Sequence, residues 1–353
     1  MSVCAFDHPI LGGLLGDREI AEALSVEAEL EAMLRFEAAL ARAQAEAGLI
    51  PIAAADAIAE TCAGFRPDLG RLAAGTARDG VLVPELVRQL RAAIGEPHAA
   101  HLHKGATSQD LIDTALLVRL RRALAVLDRR LGNLIDRLGA LENLWGARRL
   151  MGRTRMRRAE PVSWAHKLAS WREPLVRHRE RLGELRPRLL RLQLGGAVGD
   201  RAALGPNARA IAAAVADALE LERAERATHS ERDGFGELAG WLALVAGSLG
   251  KLGQDVALLA QDEVAELVVE GGGSSAMPHK VNPVPAEVLV ALARYAASLA
   301  AAVHQAMVHE NERSGAAWTL EWLALPPLLA TAGAATLRAH DLLDRLRLPE
   351  AGR

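Results

Sequence analysis

Leu116, Leu120, Leu124, Leu127, Leu131, Leu134, Leu138, Leu141 and Trp145 form one ladder of large apolar residues, 29 residues in eight steps or 3.6 per step. That is the α-helical period, and a stripe this long commits the chain to at least one very long helix. No proline falls in 98–160, 207–277 or 286–325. Long helices exclude interior proline, because its ring removes a donor and clashes with the preceding turn, so these three stretches are predicted to hold the long helices. Phe235 to Val269 and the third stretch are more evenly apolar, which predicts burial on several sides. Strand signals are weak throughout. The predicted fold class is all-α: a small N-terminal helical domain over 1–100, a long-helix bundle over 101–348 and a charged, frayed tail at 349–353. Val26 to Glu46 and Val83 to Ile94 read as helices of the first part.

Lys plus Arg total 42 against 44 Asp plus Glu, and aromatic residues make up 3%. A net charge of -2 offers no general attraction to nucleic acid or an acidic membrane, and bases would find few stacking platforms, so neither is expected as a partner. Cys4 and Cys62 are the only cysteines, with no CxxC pair and no secretory pattern, which suits a reducing cytoplasm and no disulfide. The absence of an uncharged apolar run of about 18 residues gives the expectation that nothing here spans a bilayer.

Five polar islands interrupt the helical pattern: HLHKGATSQDLIDTA (101–115), MGRTRMRRAEPVSW (151–164), LQLGGAVGDRAALGPN (192–207), GGGSSAMPHKVNP (271–283) and HENERSGAAWTLEW (309–322), the last lying inside a helical pattern. A helix over 108–149 spans roughly 60 Å at 1.5 Å per residue, which puts the first two islands at its opposite ends. A site that uses both must draw on different chains lying antiparallel, so a homo-oligomer follows from helix length. Taken singly, each island also reads as an interhelical turn.

Gly271, Gly272 and Gly273 permit backbone conformations closed to other residues. Asn282 followed by Pro283 reads as an N-cap and first helical position, and a helix N-terminus beside Lys280 attracts an anion. The spacing is not that of a Walker phosphate loop. Thr107 and Ser108 bring hydroxyls just ahead of a helix with Asp110 in its first turn, a pattern that serves capping or binding. Arg153, Arg155, Arg157 and Arg158 match carboxylate geometry or form a solvated face. His98, His101 and His103 lack carboxylate or cysteine partners at ligand spacing, so no metal is assigned.

Gly273 to Asn282 reads GSSxMPxKxN. With TSQD and its following DT (Thr107 to Thr114), GRT and then P (Gly152 to Pro161), and the glycines of 195–199 in the same order, the chain resembles the fumarase/aspartase superfamily. Four stretches, HPILGGLLGDREI, GVLVPELVRQLR, HKGATSQDLIDT and ENERSGAAWTLEWLALP, are most similar to its muconate-lactonising cycloisomerases. Fumarases and adenylosuccinate lyases usually carry a histidine after the GRT threonine, where Arg155 stands here. The chain also stops where many relatives continue into a small C-terminal domain.

The resemblance implies a homotetramer whose long helices form a common central helical core, with each active site shared between three chains. It implies a small-molecule polycarboxylate substrate, no cofactor, and closure of a lactone. One substrate carboxylate adds across a carbon-carbon double bond, and the carbon beside another carboxylate takes a proton. Fixed hydrogen-bond donors aimed at the developing charge then dominate catalysis. Ser274 is the implied proton-transferring residue, under a glycine-hinged lid. Lys280 and Asn282 hold one carboxylate, Thr107 and Ser108 another, and Arg313, Arg155 and Gln193 are further binding candidates. Ser275, His103, His229 and Trp318, with its i+4 neighbour Trp322, complete the set. The alternatives are a sulfonated substrate, another lyase such as adenylosuccinate lyase, or a non-catalytic helical scaffold.

Overall fold

The computed structural model describes residues 4–273, 276–277 and 280–349; of the tail expected at 349–353 only Pro349 is among them. Two short helices, α1 (Gly12–Leu15) and α2 (Arg18–Ala23), lead into α3 (Val26–Glu46), α4 (Ile52–Gly64), α5 (Leu69–Asp79) and α6 (Val83–Ile94). A 3-10 turn at His98–His101 then delivers the chain to α7 (Ser108–Trp145). Next come β1 (Arg149–Thr154), β2 (Arg157–Ser163), α8 (Trp164–Leu189), α9 (Ala208–Leu219) and α10 (Asp233–Leu259). The chain closes with β3 (Val268–Val269), α11 (Val284–Gln305), α12 (Ala316–Asp344) and β4 (Leu346–Arg347). Among the described residues the fold is all-α apart from two small antiparallel ladders, β1 with β2 and β3 with β4.

The leucine ladder is the spine of the bundle. Leu120, Leu124, Leu127, Leu131, Leu134 and Leu138 are wholly buried, and removing each such side chain from water contributes roughly 1.5–3 kcal/mol. Helix α7 packs on α3, α8 and α12. Its 38 residues extend about 57 Å at 1.5 Å per residue. Arg130, buried at its middle, ties it to Asp17, the N-cap of α2, and to Glu19 in the first turn of α2.

Helices α10 and α11 approach so closely that a Cβ on Gly253 would lie 2.6 Å from the Ala286 carbonyl and 2.8 Å from Leu289. Only glycine fits that contact. A row of small residues, Gly250 and Gly253 facing Ala286 and Ala293, therefore sets the interhelical distance.

Three expectations need correction. The island at 309–322 does not lie wholly inside a helix: the chain leaves α11 after Gln305 and re-enters helix at Ala316, because polar residues between them take tertiary partners described below. Conversely, α8 holds Pro174 and Pro187, and α12 holds Pro326 and Pro327. A proline costs a helix one hydrogen bond and some steric strain, and packing along 26- and 29-residue helices outweighs that. The third correction is the arginine-rich island, which is a β-hairpin. Arg155 and Met156 at its tip have φ of 49° and 64°, the left-handed pair of a two-residue hairpin turn. Most of its β2 residues are exposed, so no hydrophobic alternation announced it.

By length and composition α10, α11 and α12 are apolar enough to cross a membrane, contrary to the expectation drawn from uncharged runs. Such runs miss windows that tolerate one or two charges. The three helices pack against one another, which accounts for much of that apolar character.

Candidate active site

Thr107 caps α7, and the Asp110 carboxylate reaches back to accept the Thr107 N–H at 2.9 Å. That capping box is the local reason the helix starts where it does. Asp110 does more than cap. Wholly buried, it also accepts the N–H groups of Gly195 (2.7 Å) and Gly196 (2.9 Å) and pairs with His229 Nε2 at 2.8 Å. One carboxylate thus fixes the glycine loop, the His229 ring and the entry to α7 relative to each other. Ser108 follows as the first residue of α7, half-buried.

One residue after Ser108 on the helix, Gln109 donates to the His229 carbonyl at 2.8 Å and to Asp113 at 3.1 Å, and its Oε1 accepts from Arg313 Nε at 2.9 Å. Arg313 also donates to the Ala197 carbonyl at 3.2 Å. Thr107, Ser108, His229 and Arg313, scattered over more than 200 positions in sequence, therefore share one end of the bundle.

A turn further along α7, Asp113 accepts from Arg232 Nη1 at 2.7 Å and from Trp318 Nε1 at 3.2 Å. Arg232 is fully enclosed and makes a second pair of bonds, at 2.7 and 2.6 Å, to Glu321. Its guanidinium also lies 4.4 Å from the centroid of the Phe235 ring. Burial works against this charge, but Asp113 and Glu321 together push the arginine above its ordinary value. His309, 3.5 Å from Glu321, is held below its ordinary value by burial and by Arg232. Trp318 and Trp322 pack in a tilted arrangement, with ring centroids 4.7 Å apart and planes inclined at 56°. Trp322 lines a cavity of about 330 Å³ with Leu24, Ile112, Leu116 and Arg119.

His103 sits four residues ahead of Thr107, its Nδ1 2.5 Å from the buried Glu37 carboxylate on α3. Gln193 spends its side chain inside the chain: Oε1 accepts the Thr228 N–H at 2.7 Å and Nε2 donates to the Arg191 carbonyl. It braces the loop that carries His229.

The other candidates lie elsewhere. Arg155 is exposed at the hairpin tip beyond the C-terminal end of α7, and its neighbour Arg153 pairs with Glu266 at 2.8 Å. Lys280 and Asn282 precede α11, whose 22 residues put about 33 Å of helix between them and the segment that bears Arg313. The helix begins at Val284 rather than at Pro283. Ser274 and Ser275 lie outside the described residues. Gly271 and Gly272 have φ of 87° and 94°, and the Asn282 N–H donates to the Gly272 carbonyl at 2.8 Å. Within one chain, then, the Thr107–Arg313 group and the Lys280–Asn282 group occupy separate ends.

Sequence reasoning missed Gln109, Asp113, Arg232 and Glu321 altogether and saw Asp110 only as a first-turn acid. The signal available was the i, i+4 pair Gln109 and Asp113 on the apolar side of α7, where a polar pair needs partners. Among the described residues no group of three or more His, Cys, Asp or Glu side chains is arranged to hold a metal ion.

The lyase family matches residues 18–297. Over 326 residues the chain is 44% identical to 3-carboxy-cis,cis-muconate cycloisomerase of Pseudomonas aeruginosa, covering 90% of this chain and 71% of that protein. It is 42% identical to the enzyme of the same name from Pseudomonas putida, covering 94% of this chain and 80% of that one. The crystal structure of 3-carboxy-cis,cis-muconate lactonizing enzyme from Pseudomonas putida superposes with a TM-score of 0.91 at 41% identity, over 97% of this chain and 78% of the other.

Proposed function

The chain belongs to the lyase family, and on that premise we propose that it closes 3-carboxy-cis,cis-muconate to 4-carboxymuconolactone. Carrying this reading is the match to the lactonising enzyme over nearly the whole chain. The site chemistry is consistent with it: a polyacid needs cations and hydrogen-bond donors, and Arg313, Thr107 and Ser108 are gathered at one end of the bundle, with Lys280 and Asn282 at the other.

In this reading the substrate's own carboxylate is the nucleophile, and Ser274 protonates the carbon beside a second carboxylate. A serine hydroxyl transfers a proton usefully only where its alkoxide is stabilised, which falls to loop amides, the α11 N-terminus and Lys280. Negative charge that builds on the second carboxylate is held by fixed donors. The protein works as a homotetramer, because the half-sites of one chain, set apart by helices of about 57 and 33 Å, meet only when neighbouring protomers lie antiparallel. Ala291, Tyr295, Ser298 and Ala301 on α11 and Leu323 on α12 are exposed in the single chain. This small and apolar surface suits helix-to-helix association.

The deciding experiment is to incubate the purified protein with 3-carboxymuconate, follow loss of diene absorbance, and identify the product by mass and NMR. Absence of lactone, with turnover of a sulfonated muconate or of adenylosuccinate instead, would move the protein to another branch of the family.

A further inference from the structure

The loop that leads into α7 is pinned from one side by α3 and its end. Gln44 donates to the Lys104 carbonyl at 2.6 Å, Lys104 Nζ donates to the Leu49 carbonyl at 3.1 Å, and Glu37 meets His103 Nδ1 at 2.5 Å. The third contact is chemically different from the first two. Glu37 is 1% exposed and its second oxygen, Oε2, has no hydrogen-bond partner, so His103 is the hydrogen-bonding partner of a carboxylate taken out of water. A lone buried carboxylate is costly. A protonated imidazole removes that cost, and it also fixes the ring, because Nδ1–H must point at Glu37 and Nε2–H must point away. His103 itself holds φ of 61°, a left-handed conformation that histidine adopts more readily than most side chains, and its side chain keeps 13% exposure.

We propose that Glu37 is a positioning residue for carboxylate recognition. It holds the His103 ring with Nδ1 inward, so that Nε2–H is presented as a charged donor to one carboxylate of the polyacid at the Thr107–Ser108 end of α7. The proposal rests on the reading of the substrate as a polycarboxylate and extends it to two residues of the N-terminal helical region. Four elements bear on the pair: Glu37 from α3, Arg91 from α6, Asp110 from α7, and Cys62 from α4, whose thiol is pushed up to about 12 by burial and then by Glu37. Burial alone would lower His103. Glu37, aided by Asp110 and opposed by Arg91, reverses that and leaves it above its ordinary value. The imidazolium is therefore present at low pH and is lost as pH rises through the raised folded value, taking the Nε2–H charge with it.

The test uses the whole protein and a non-reactive probe, tricarballylate. Its dissociation constant is measured by calorimetry from pH 5.5 to 8.5, and the His103 ring is followed by NMR in the same range. Wild-type binding is expected to weaken as His103 loses its proton, and Glu37→Gln is expected to move both events down by about one pH unit or more and to weaken binding at pH 7 by about tenfold. His103→Gln should abolish that limb of the profile. A Glu37→Gln protein that is less stable but binds with an unshifted profile would make the pair structural and overturn the proposal. So would a wild-type His103 that titrates below its ordinary value, an observation that needs no variant. Turnover of 3-carboxymuconate by the wild type is scored separately, so failure of the substrate reading and failure of the Glu37–His103 role give different results.

Discussion

The Asn282 N–H and the Gly272 carbonyl meet at 2.8 Å and close the neck of the loop that runs from 272 to 282. At Gly272 φ is 94°, and a Cβ would overlap the Asn282 carbonyl. Glycine is needed there for the close approach as much as for the left-handed backbone. Gly272→Ala should therefore misplace the loop: left-handed backbone costs a non-glycine residue roughly 1–2 kcal/mol, before the overlap is relieved. We expect kcat/KM on 3-carboxymuconate to fall at least about tenfold, since misplacement of reacting groups by an ångström costs more than that. A calorimetric Tm within a few degrees of wild type would locate the damage in the loop.

Ser274→Ala should leave a folded oligomer whose turnover is lower by orders of magnitude, as removal of a proton-transferring group typically costs about 10²–10⁴. Size-exclusion chromatography with steady-state kinetics checks it, and near-normal kcat removes Ser274 from the chemistry. Lys280→Met should raise KM, because the bound carboxylate loses its cation, and lower kcat, because the Ser274 alkoxide loses a group that stabilises it only as the proton moves.

Arg232→Met should destabilise the fold by about 3–5 kcal/mol, the usual result of leaving buried carboxylates without their cation. Asp113 and Glu321 are 0% and 3% exposed and share this one guanidinium. Urea unfolding monitored by circular dichroism measures the loss. A change under about 1 kcal/mol would mean that the acids are protonated or solvated.

His178 is pulled down to about 4, by burial first and then by Arg181 and Arg177. Its Nε2 meets Ser248 at 2.8 Å and its Nδ1 meets Arg181 at 3.2 Å, so the ring is built to be neutral. A histidine whose folded value lies below its unfolded value near 6.5 makes the unfolded chain the better proton binder between the two. Its contribution vanishes above that window, and stability falls as pH drops from about 6.5 to about 4. After allowance for solvent screening, the loss is on the order of 2 kcal/mol. Unfolding free energies across that range should show the slope, and His178→Asn should flatten it.

The leucine ladder fixed the register of α7, and with it the separation of the first two polar islands, because helical periodicity is a local property that every fourth residue reports. The signature loop was likewise legible, since few other demands put glycines, Lys280 and Asn282 in that order. What the tertiary structure alone decided was the partners of the charges. Asp110 finds His229 at a sequence distance of 119, and Arg232 finds Asp113 at the same separation and Glu321 at 89. No local pattern encodes such a choice: a buried carboxylate takes whichever donor the packed helices bring within about 3 Å. The hairpin at Arg149–Ser163 and the break after Gln305 were hidden for the same reason. Their residues show no local burial period, and their shape comes from what they meet.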